Sequence, residues 1–179
     1  MKEKCIFVIG PESSGSTFIA KVISTALNGD TGWNGRGFNC CNKWDCDREN
    51  GFTKPCSEVK HLVCHRSLPF GEISQWPPIS EWEDFYDANF ILCTRDASIS
   101  SNSVLDRMKR SQKSRKLNQL KSTEIIKDIM GSESKSMIWS YETFVLLQEA
   151  YLKQLYDFLK IKSDYLPDSI IDANSKYIK

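Results

Sequence analysis

The first seventeen residues impose the strongest constraint on the fold. Cys5 to Ile9 is a short apolar run with β-branched and aromatic side chains, and it ends at Gly10 and Pro11. Such a run predicts a buried strand. After a loop of glycine and serine, apolar residues recur at helical spacing from Ser16 up to the stop signal at residues 28–30. Strand, glycine-rich loop and helix in this order form the first half of a βαβ unit, which favours a parallel sheet.

The loop between this strand and this helix has the spacing of a phosphate-binding loop. Residues 10–17 match the pattern G-x-x-x-x-G-K-[ST] except that Ser16 replaces the lysine. Small residues allow successive backbone N–H groups to converge, and the start of the following helix adds positive potential. The lysine would reach the β- and γ-phosphates of a nucleoside triphosphate. The loop therefore predicts an anion site that is poorly suited to ATP hydrolysis.

The rest of the chain alternates between strand and helix patterns. The predicted strands cover 59–64, 89–94 and 137–141, and the predicted helices cover 80–86, 97–108, 117–130 and 144–159. This alternation predicts an α/β fold, a three-layer P-loop domain with a short central parallel sheet flanked by helices. At ~150 residues per domain, residues 1–179 form one domain. Residues 29–57, which follow no helical or strand period, are an irregular insertion.

Polar groups follow three of the predicted strands. They are the Gly10–Thr17 loop, the Arg95-Asp96 pair and the Tyr141-Glu142 pair. In parallel sheets, ligands bind beyond the carboxyl ends of the strands. We therefore expect these groups to meet in one site.

The motifs at these strand ends resemble those of nucleotide-dependent sulfotransferases. That family carries P-K-S-G-[TS]-[TS] after its first strand, and residues 12–17 (ESSGST) are similar. It also carries an arginine at a strand end and a serine eight positions later, which Arg95 and Ser103 match. Two weaker similarities are SYETF at 140–144 and HRSLPF at 65–70, which resemble the family's Tyr-Glu and His-Leu-Pro segments. The resemblance spans residues 5–160.

The resemblance implies a donor and a reaction. The donor is 3′-phosphoadenosine-5′-phosphosulfate (PAPS), and its sulfuryl group passes to a hydroxyl or amine of a small-molecule or glycan acceptor, with no metal required. The donor-binding residues that it implies are Ser14, Gly15, Ser16 and Thr17 for the 5′-phosphosulfate, and Arg95 and Ser103 for the 3′-phosphate.

The catalytic assignment departs from the family at two positions. Ser13 stands where the family has the loop lysine, and Ser67 stands where it has the histidine of His-Leu-Pro. We assign Ser13 and His65 to catalysis, with His65 as the first candidate for the general base because its unperturbed pKa is ~6.5. The alternative bases are Glu142, Glu72 and Glu12. A small-molecule kinase and a non-catalytic nucleotide- or anion-binding protein remain alternative functions.

Two other regions have candidate roles at the site. Residues 174–177 are the candidate segment to cover the donor, because the family's C-terminal glycine-rich loop has no clear counterpart. The residues from 107 to 121 include seven basic side chains and no acidic one. They form either a solvated face or a rim that steers anions. The aromatic residues expected to line the acceptor pocket are Trp33, Phe38, Trp44 and Trp76.

Composition limits the partners and the compartment. The net charge of +1 provides no global attraction to nucleic acid or anionic membrane. No apolar run approaches the ~20 residues that span a bilayer. Seven cysteines cannot all pair within the chain, so we expect reduced thiols and a cytoplasmic protein. The sequence leaves open whether one group of cysteines is free, disulfide-bonded or metal-bound. This group consists of Cys40, Cys41, Cys46 and Cys56.

Overall fold

The computed structural model describes residues 2–27, 62–68, 83–84, 86–109 and 111–177. Within these residues, four parallel strands form one sheet. The spatial order is β2-β1-β3-β4. The strands are β1 (Glu3–Pro11), β2 (Leu62–Leu68), β3 (Tyr86–Thr94) and β4 (Lys135–Ser140). The predicted parallel sheet is confirmed. The insertion at 29–57, with its cysteines and aromatic residues, lies outside the described residues, as do Glu72 and Trp76.

Five helices of the described chain connect or follow these strands. They are α1 (Ser16–Ala26), α2 (Ala97–Met108), α3 (Gln112–Gly131), α4 (Tyr141–Leu147) and α5 (Glu149–Leu159). Side-chain caps determine where three of them begin. The Asp96 carboxylate accepts the backbone N–H groups at the start of α2, and the Ser111 and Ser140 hydroxyls each accept one N–H, at the starts of α3 and α4.

Helices cover both faces of the sheet. On one face, Ile19 and Ile23 of α1 pack with Leu155 of α5 and with the buried Trp139. On the other face, Ile129 of α3 packs among strand side chains that include Phe7 and Phe90, whose stacked ring centroids are 5.1 Å apart. The central strands are buried on both sides, which explains their continuous apolar runs. The predicted three-layer architecture is confirmed.

The second strand differs from its prediction. The predicted strand ended at Cys64, but β2 continues to Leu68, which pairs with Pro11 of β1. Backbone hydrogen bonds to β1 do not depend on side-chain polarity, so polar residues prolong the strand. His65 consequently lies within β2, opposite Val8, and not beyond the end of a strand.

Four other boundaries also differ. Tyr86 begins β3 and does not end a helix, because buried and exposed side chains alternate from that residue. Helix α3 begins at Gln112, five residues before the prediction, because Ser111 caps it. Tyr141 opens α4 and is not part of β4. The predicted helix 144–159 is interrupted at Gln148, whose φ of 44° and ψ of −112° are not helical.

None of the helices in these described segments has the length and apolar character needed to cross a bilayer. The same segments contain no group of three or more His, Cys, Asp or Glu side chains arranged to hold a metal ion.

Candidate functional site

The polar groups that follow β1, β3 and β4 meet at one edge of the sheet. Nη1 of Arg95 donates to the backbone oxygen of Ser13 at 3.1 Å, which joins the end of β3 to the loop after β1. The backbone N–H of Asp96 donates to Oε1 of Glu142 at 3.0 Å, which joins β3 to the helix that follows β4. The structure therefore brings together the three groups that the sequence placed at strand ends.

The loop after β1 turns through two left-handed residues. Ser13 has a φ of 67° and Gly15 a φ of 85°. Gly15 suits this conformation, and a Cβ atom there would lie 3.0 Å from the Tyr141 ring. The backbone N–H of Ser14 donates to the oxygen of Pro11 at 3.1 Å. This turn leads directly into α1, so the loop lies at the positive end of a helix.

Two buried polar atoms at this edge fit an anionic ligand. Within the described part of the chain, Oγ of Ser14 and Nη2 of Arg95 have no hydrogen-bond partner. Ser14 is only 1% exposed. Buried polar atoms nearly always have a partner, so a phosphate or sulfate bound at the loop would resolve both exceptions. The donor set of this edge therefore fits an anion such as a nucleotide phosphate.

His65 contacts the hydroxyl groups of the loop. Its Nε2 lies 2.8 Å from Oγ of Ser16 and 3.3 Å from Oγ1 of Thr17. Burial lowers the pKa of His65 to about 4, so the imidazole is neutral at pH 7. A neutral imidazole both donates and accepts hydrogen bonds, and here it holds two of the predicted donor-binding hydroxyls.

The low pKa of His65 predicts a loss of stability in acid. In the unfolded chain the pKa is near 6.5, so between about pH 6.5 and pH 4 the unfolded state binds a proton that the folded state does not. Stability from this residue is present above pH 6.5 and decreases as the pH falls. We expect wild type to lose about 2 kcal/mol more than His65→Gln between pH 7 and pH 5. Urea unfolding at both pH values measures this difference, and equal losses in the two proteins would contradict it.

Arg95 is also bound by the C-terminal segment. Its Nε donates to Oδ1 of Asn174 at 2.7 Å, and its guanidinium carbon lies 4.6 Å from the centroid of the Tyr141 ring. Nδ2 of Asn174 donates to Oε1 of Glu142 at 3.0 Å. The buried Asn174 amide thus joins Arg95 to Glu142. The sequence did not indicate this contact, because the segment around Asn174 is polar and follows no helical or strand period.

Tyr141 holds the same segment against the site. Its hydroxyl donates to the backbone oxygen of Ile171 at 3.1 Å and accepts the backbone N–H of Ala173 at 2.8 Å. The segment predicted to cover the donor, residues 174–177, therefore begins directly beside the loop and Arg95.

Helix α2 carries the predicted residue Ser103 and also Arg107, and only Arg107 has a hydrogen bond to the loop among those that the structure shows. Ser103 is buried on this helix, at 4% exposure, eight residues after Arg95. One turn further, Nη2 of Arg107 donates to Oγ of Ser13. The sequence indicated Arg107 only as one member of a basic run. The structure brings this guanidinium to the loop position where the resembling family has its lysine.

A cleft opens beside the loop between α2 and α3. Its empty volume of about 510 Å³ includes open solvent, and its lining includes Glu12, Leu68 and Arg95. The residues that line its walls include Ser100, Ser101 and Val104 of α2 and Arg115, Asn118 and Ser122 of α3, and most of the surface that faces the cleft is apolar. Nη1 of Arg115 donates to the Ser101 backbone oxygen at 2.9 Å. Its buried Nε has no hydrogen-bond partner among the described residues.

The architecture matches a solved structure. A crystal structure of retinol dehydratase in complex with retinol and PAP superposes with a TM-score of 0.56, at 14% sequence identity. The match covers 92% of this chain and 62% of that one, so this chain spans less than two thirds of the length of its structural neighbour. No protein-family profile and no curated protein sequence matches this chain. The chain thus has a distant sulfotransferase-like α/β fold.

Proposed function

We propose that this chain is a PAPS-dependent sulfotransferase that transfers a sulfuryl group to a hydroxyl or amine. The observation that carries the proposal is the pair of buried polar atoms, Ser14 Oγ and Arg95 Nη2, at the anion loop of a sulfotransferase-like fold. The structural neighbour binds PAP, the desulfated form of PAPS, which supports this choice of donor.

Different residues at the strand ends are proposed to bind the two charged ends of the donor. Backbone N–H groups of residues 15–17, Oγ of Ser14 and the hydroxyls of Ser16 and Thr17 are the proposed contacts of the 5′-phosphosulfate. Arg95 and Ser103 are the proposed contacts of the 3′-phosphate, for which the planar guanidinium is well suited. When bound, PAPS supplies an activated sulfuryl group.

The chain itself supplies position and electrostatic stabilisation. Convergent N–H groups at the start of α1 stabilise negative charge, and they are already oriented before the reaction. His65 fixes the hydroxyls of Ser16 and Thr17 by its hydrogen bonds. These residues thereby hold the donor's anionic end and exclude competing orientations.

Two described residues are candidates for the group that accepts the acceptor's proton. His65 is a weaker base than its unperturbed pKa suggests, because burial lowers its pKa to about 4 and its Nε2 already contacts the hydroxyls of Ser16 and Thr17. Glu12 lines the cleft in which we place the acceptor. Glu142 has a different role, because its Oε1 already accepts from Asp96 and Asn174.

The cleft between α2 and α3 is the proposed acceptor site. It adjoins the loop through Pro11 and Glu12, and serine and amide side chains interrupt a lining whose surface is mostly apolar. Such side chains form hydrogen bonds with hydroxyl groups. A mostly apolar lining with a few such groups suits a hydroxyl-bearing small molecule.

The absence of a lysine from the loop favours one alternative, a protein that binds a nucleotide or anion without catalysis. It disfavours a kinase, because Ser16 takes the place of the lysine that a kinase uses to bind the β- and γ-phosphates.

Thermal shift with three nucleotides separates these functions. We expect PAP to raise the melting temperature, because a ligand at a hundred times its Kd stabilises a protein by about 2.7 kcal/mol. AMP and ATP-Mg²⁺ should have smaller effects. A shift with ATP-Mg²⁺ alone would contradict the proposal. A shift with PAP, but no transfer of radiolabelled sulfate from PAPS to a panel of hydroxyl and amine acceptors, would indicate binding without catalysis.

A further inference from the structure

We propose that Arg107 supplies, from helix α2, the positive charge that the loop lacks at Ser13. The inference rests on the proposed function and concerns how the same site binds the donor's 5′ end. Ser13 stands at the position of the lysine in the sulfotransferase loop motif. Nη2 of Arg107 donates a hydrogen bond to Oγ of Ser13.

The position of Ser13 makes this replacement effective. Its backbone oxygen accepts from Arg95, and its hydroxyl accepts from Arg107. Two guanidinium groups from different elements therefore meet the loop at one residue. The left-handed φ of 67° at Ser13 is part of the turn that begins the anion loop.

Helix α2 is anchored at both ends, so Arg107 is held near the loop. At the start of the helix, the Asp96 side chain accepts the backbone N–H groups of Ser98 and Ile99. In the last turn, Asp106 forms a 2.7 Å ion pair with Lys176 of the C-terminal segment. These contacts limit the movement of the turn that carries Arg107.

The chemistry of the guanidinium fits a phosphate or sulfate. Only one of its five N–H groups is needed for the bond to Ser13, so the others can contact an anion. Arginine binds such groups in a planar, often bidentate arrangement. A cation at the end of a helix also interacts favourably with the helix dipole, which by itself would not require contact with the loop. The experiment therefore has to separate a role in binding from this general stabilisation.

Isothermal titration with two nucleotides tests the assignment. PAP carries both phosphates, whereas adenosine 3′-monophosphate lacks the 5′-phosphate. We expect Arg107→Ala to weaken PAP binding roughly tenfold to a hundredfold. Its affinity for adenosine 3′-monophosphate should change by less than about twofold, within the scatter of a surface substitution. The control Lys127→Ala removes one exposed positive charge from α3 and should leave both affinities unchanged.

A charge restored at the loop should rescue the variant. The double variant Arg107→Ala/Ser13→Lys places a cation at the motif's own position, and we expect it to recover about tenfold in PAP affinity. Circular dichroism melting of each variant verifies that it is folded. If Arg107→Ala does not fold, Arg107→Gln, which keeps the length and polarity of the side chain, takes its place in the same titrations.

The outcomes distinguish this inference from the proposed function. If wild type does not bind PAP, the proposed function fails and the role of Arg107 fails with it. If wild type binds PAP and Arg107→Ala binds it equally, or both nucleotides weaken by the same factor, only the Arg107 assignment is overturned. A failure of Ser13→Lys to improve the alanine variant would also overturn it.

Discussion

Replacing Arg95 with alanine should weaken PAP binding by roughly 30-fold to several-thousandfold while the chain stays folded. The expected loss corresponds to the ~2–5 kcal/mol that follows removal of one partner from a buried, charge-assisted contact. Arg95 is central because its Nη1 holds the Ser13 oxygen and its Nε holds the Asn174 amide. Isothermal titration with PAP measures the change, and circular dichroism verifies the fold.

Two matched variants separate charge from anchoring in this experiment. Asn174→Ala removes the bond between the C-terminal segment and Arg95 but keeps the guanidinium, so we expect a smaller loss of affinity than in Arg95→Ala. Arg95→Lys keeps the charge without the planar fork and should give an intermediate value. If Arg95→Ala and Asn174→Ala bind PAP equally well, Arg95 acts only through the segment and is not a donor contact.

Replacing Gly10 with alanine should destabilise the chain by more than about 3 kcal/mol. A Cβ atom at this position would lie 2.3 Å from the backbone oxygen of Cys93 and 2.6 Å from Oγ of Ser14. Neither neighbour can move easily, because Cys93 belongs to the central strand β3 and Ser14 is buried in the loop after β1. Urea unfolding measures the change, and the same clash should also impair PAP binding.

Gly131 provides the control for this substitution. A Cβ atom at Gly131 would have no heavy atom of the described residues within 4 Å. Gly131 also ends helix α3, so alanine there should be neutral or stabilise the chain by up to ~1 kcal/mol. If Gly10→Ala and Gly131→Ala unfold at the same urea concentration, the close contact between the loop and β3 is wrong.

The local sequence pattern correctly predicted the helices and strands whose boundaries depend on their own residues. The prediction of α2 at 97–108 agrees with the structure, because Asp96 caps the helix start within the segment itself. The apolar run at 5–9 predicted β1, since a central parallel strand is buried on both faces. Predictions failed where a partner distant in sequence decides the outcome. Strand β2 extends to Leu68 because β1 pairs with it that far.

The helical segment after β4 contains a break that its sequence pattern did not predict. Its apolar positions continue at helical spacing from 144 to 159, and the sequence contains no glycine or proline in that interval. The structure nevertheless interrupts it at Gln148, in a conformation that non-glycine residues seldom adopt. Spacing alone predicts which face of a helix is buried, but not whether the helix continues without a break.

The sequence by itself determined the α/β class, the glycine- and serine-rich loop between the first strand and the first helix, and the location of polar groups at strand ends. These follow from hydrophobic period and from short motifs, in which the interacting residues are neighbours along the chain. Only the tertiary structure showed that His65 contacts Ser16, that Arg107 reaches Ser13 and that Asn174 bonds to Arg95. These pairs are 49, 94 and 79 residues apart, and no local pattern specifies a contact between such distant residues. They form because the parallel sheet pairs β2 with β1 and brings the ends of β1, β3 and β4, with the segments that follow them, to a single edge.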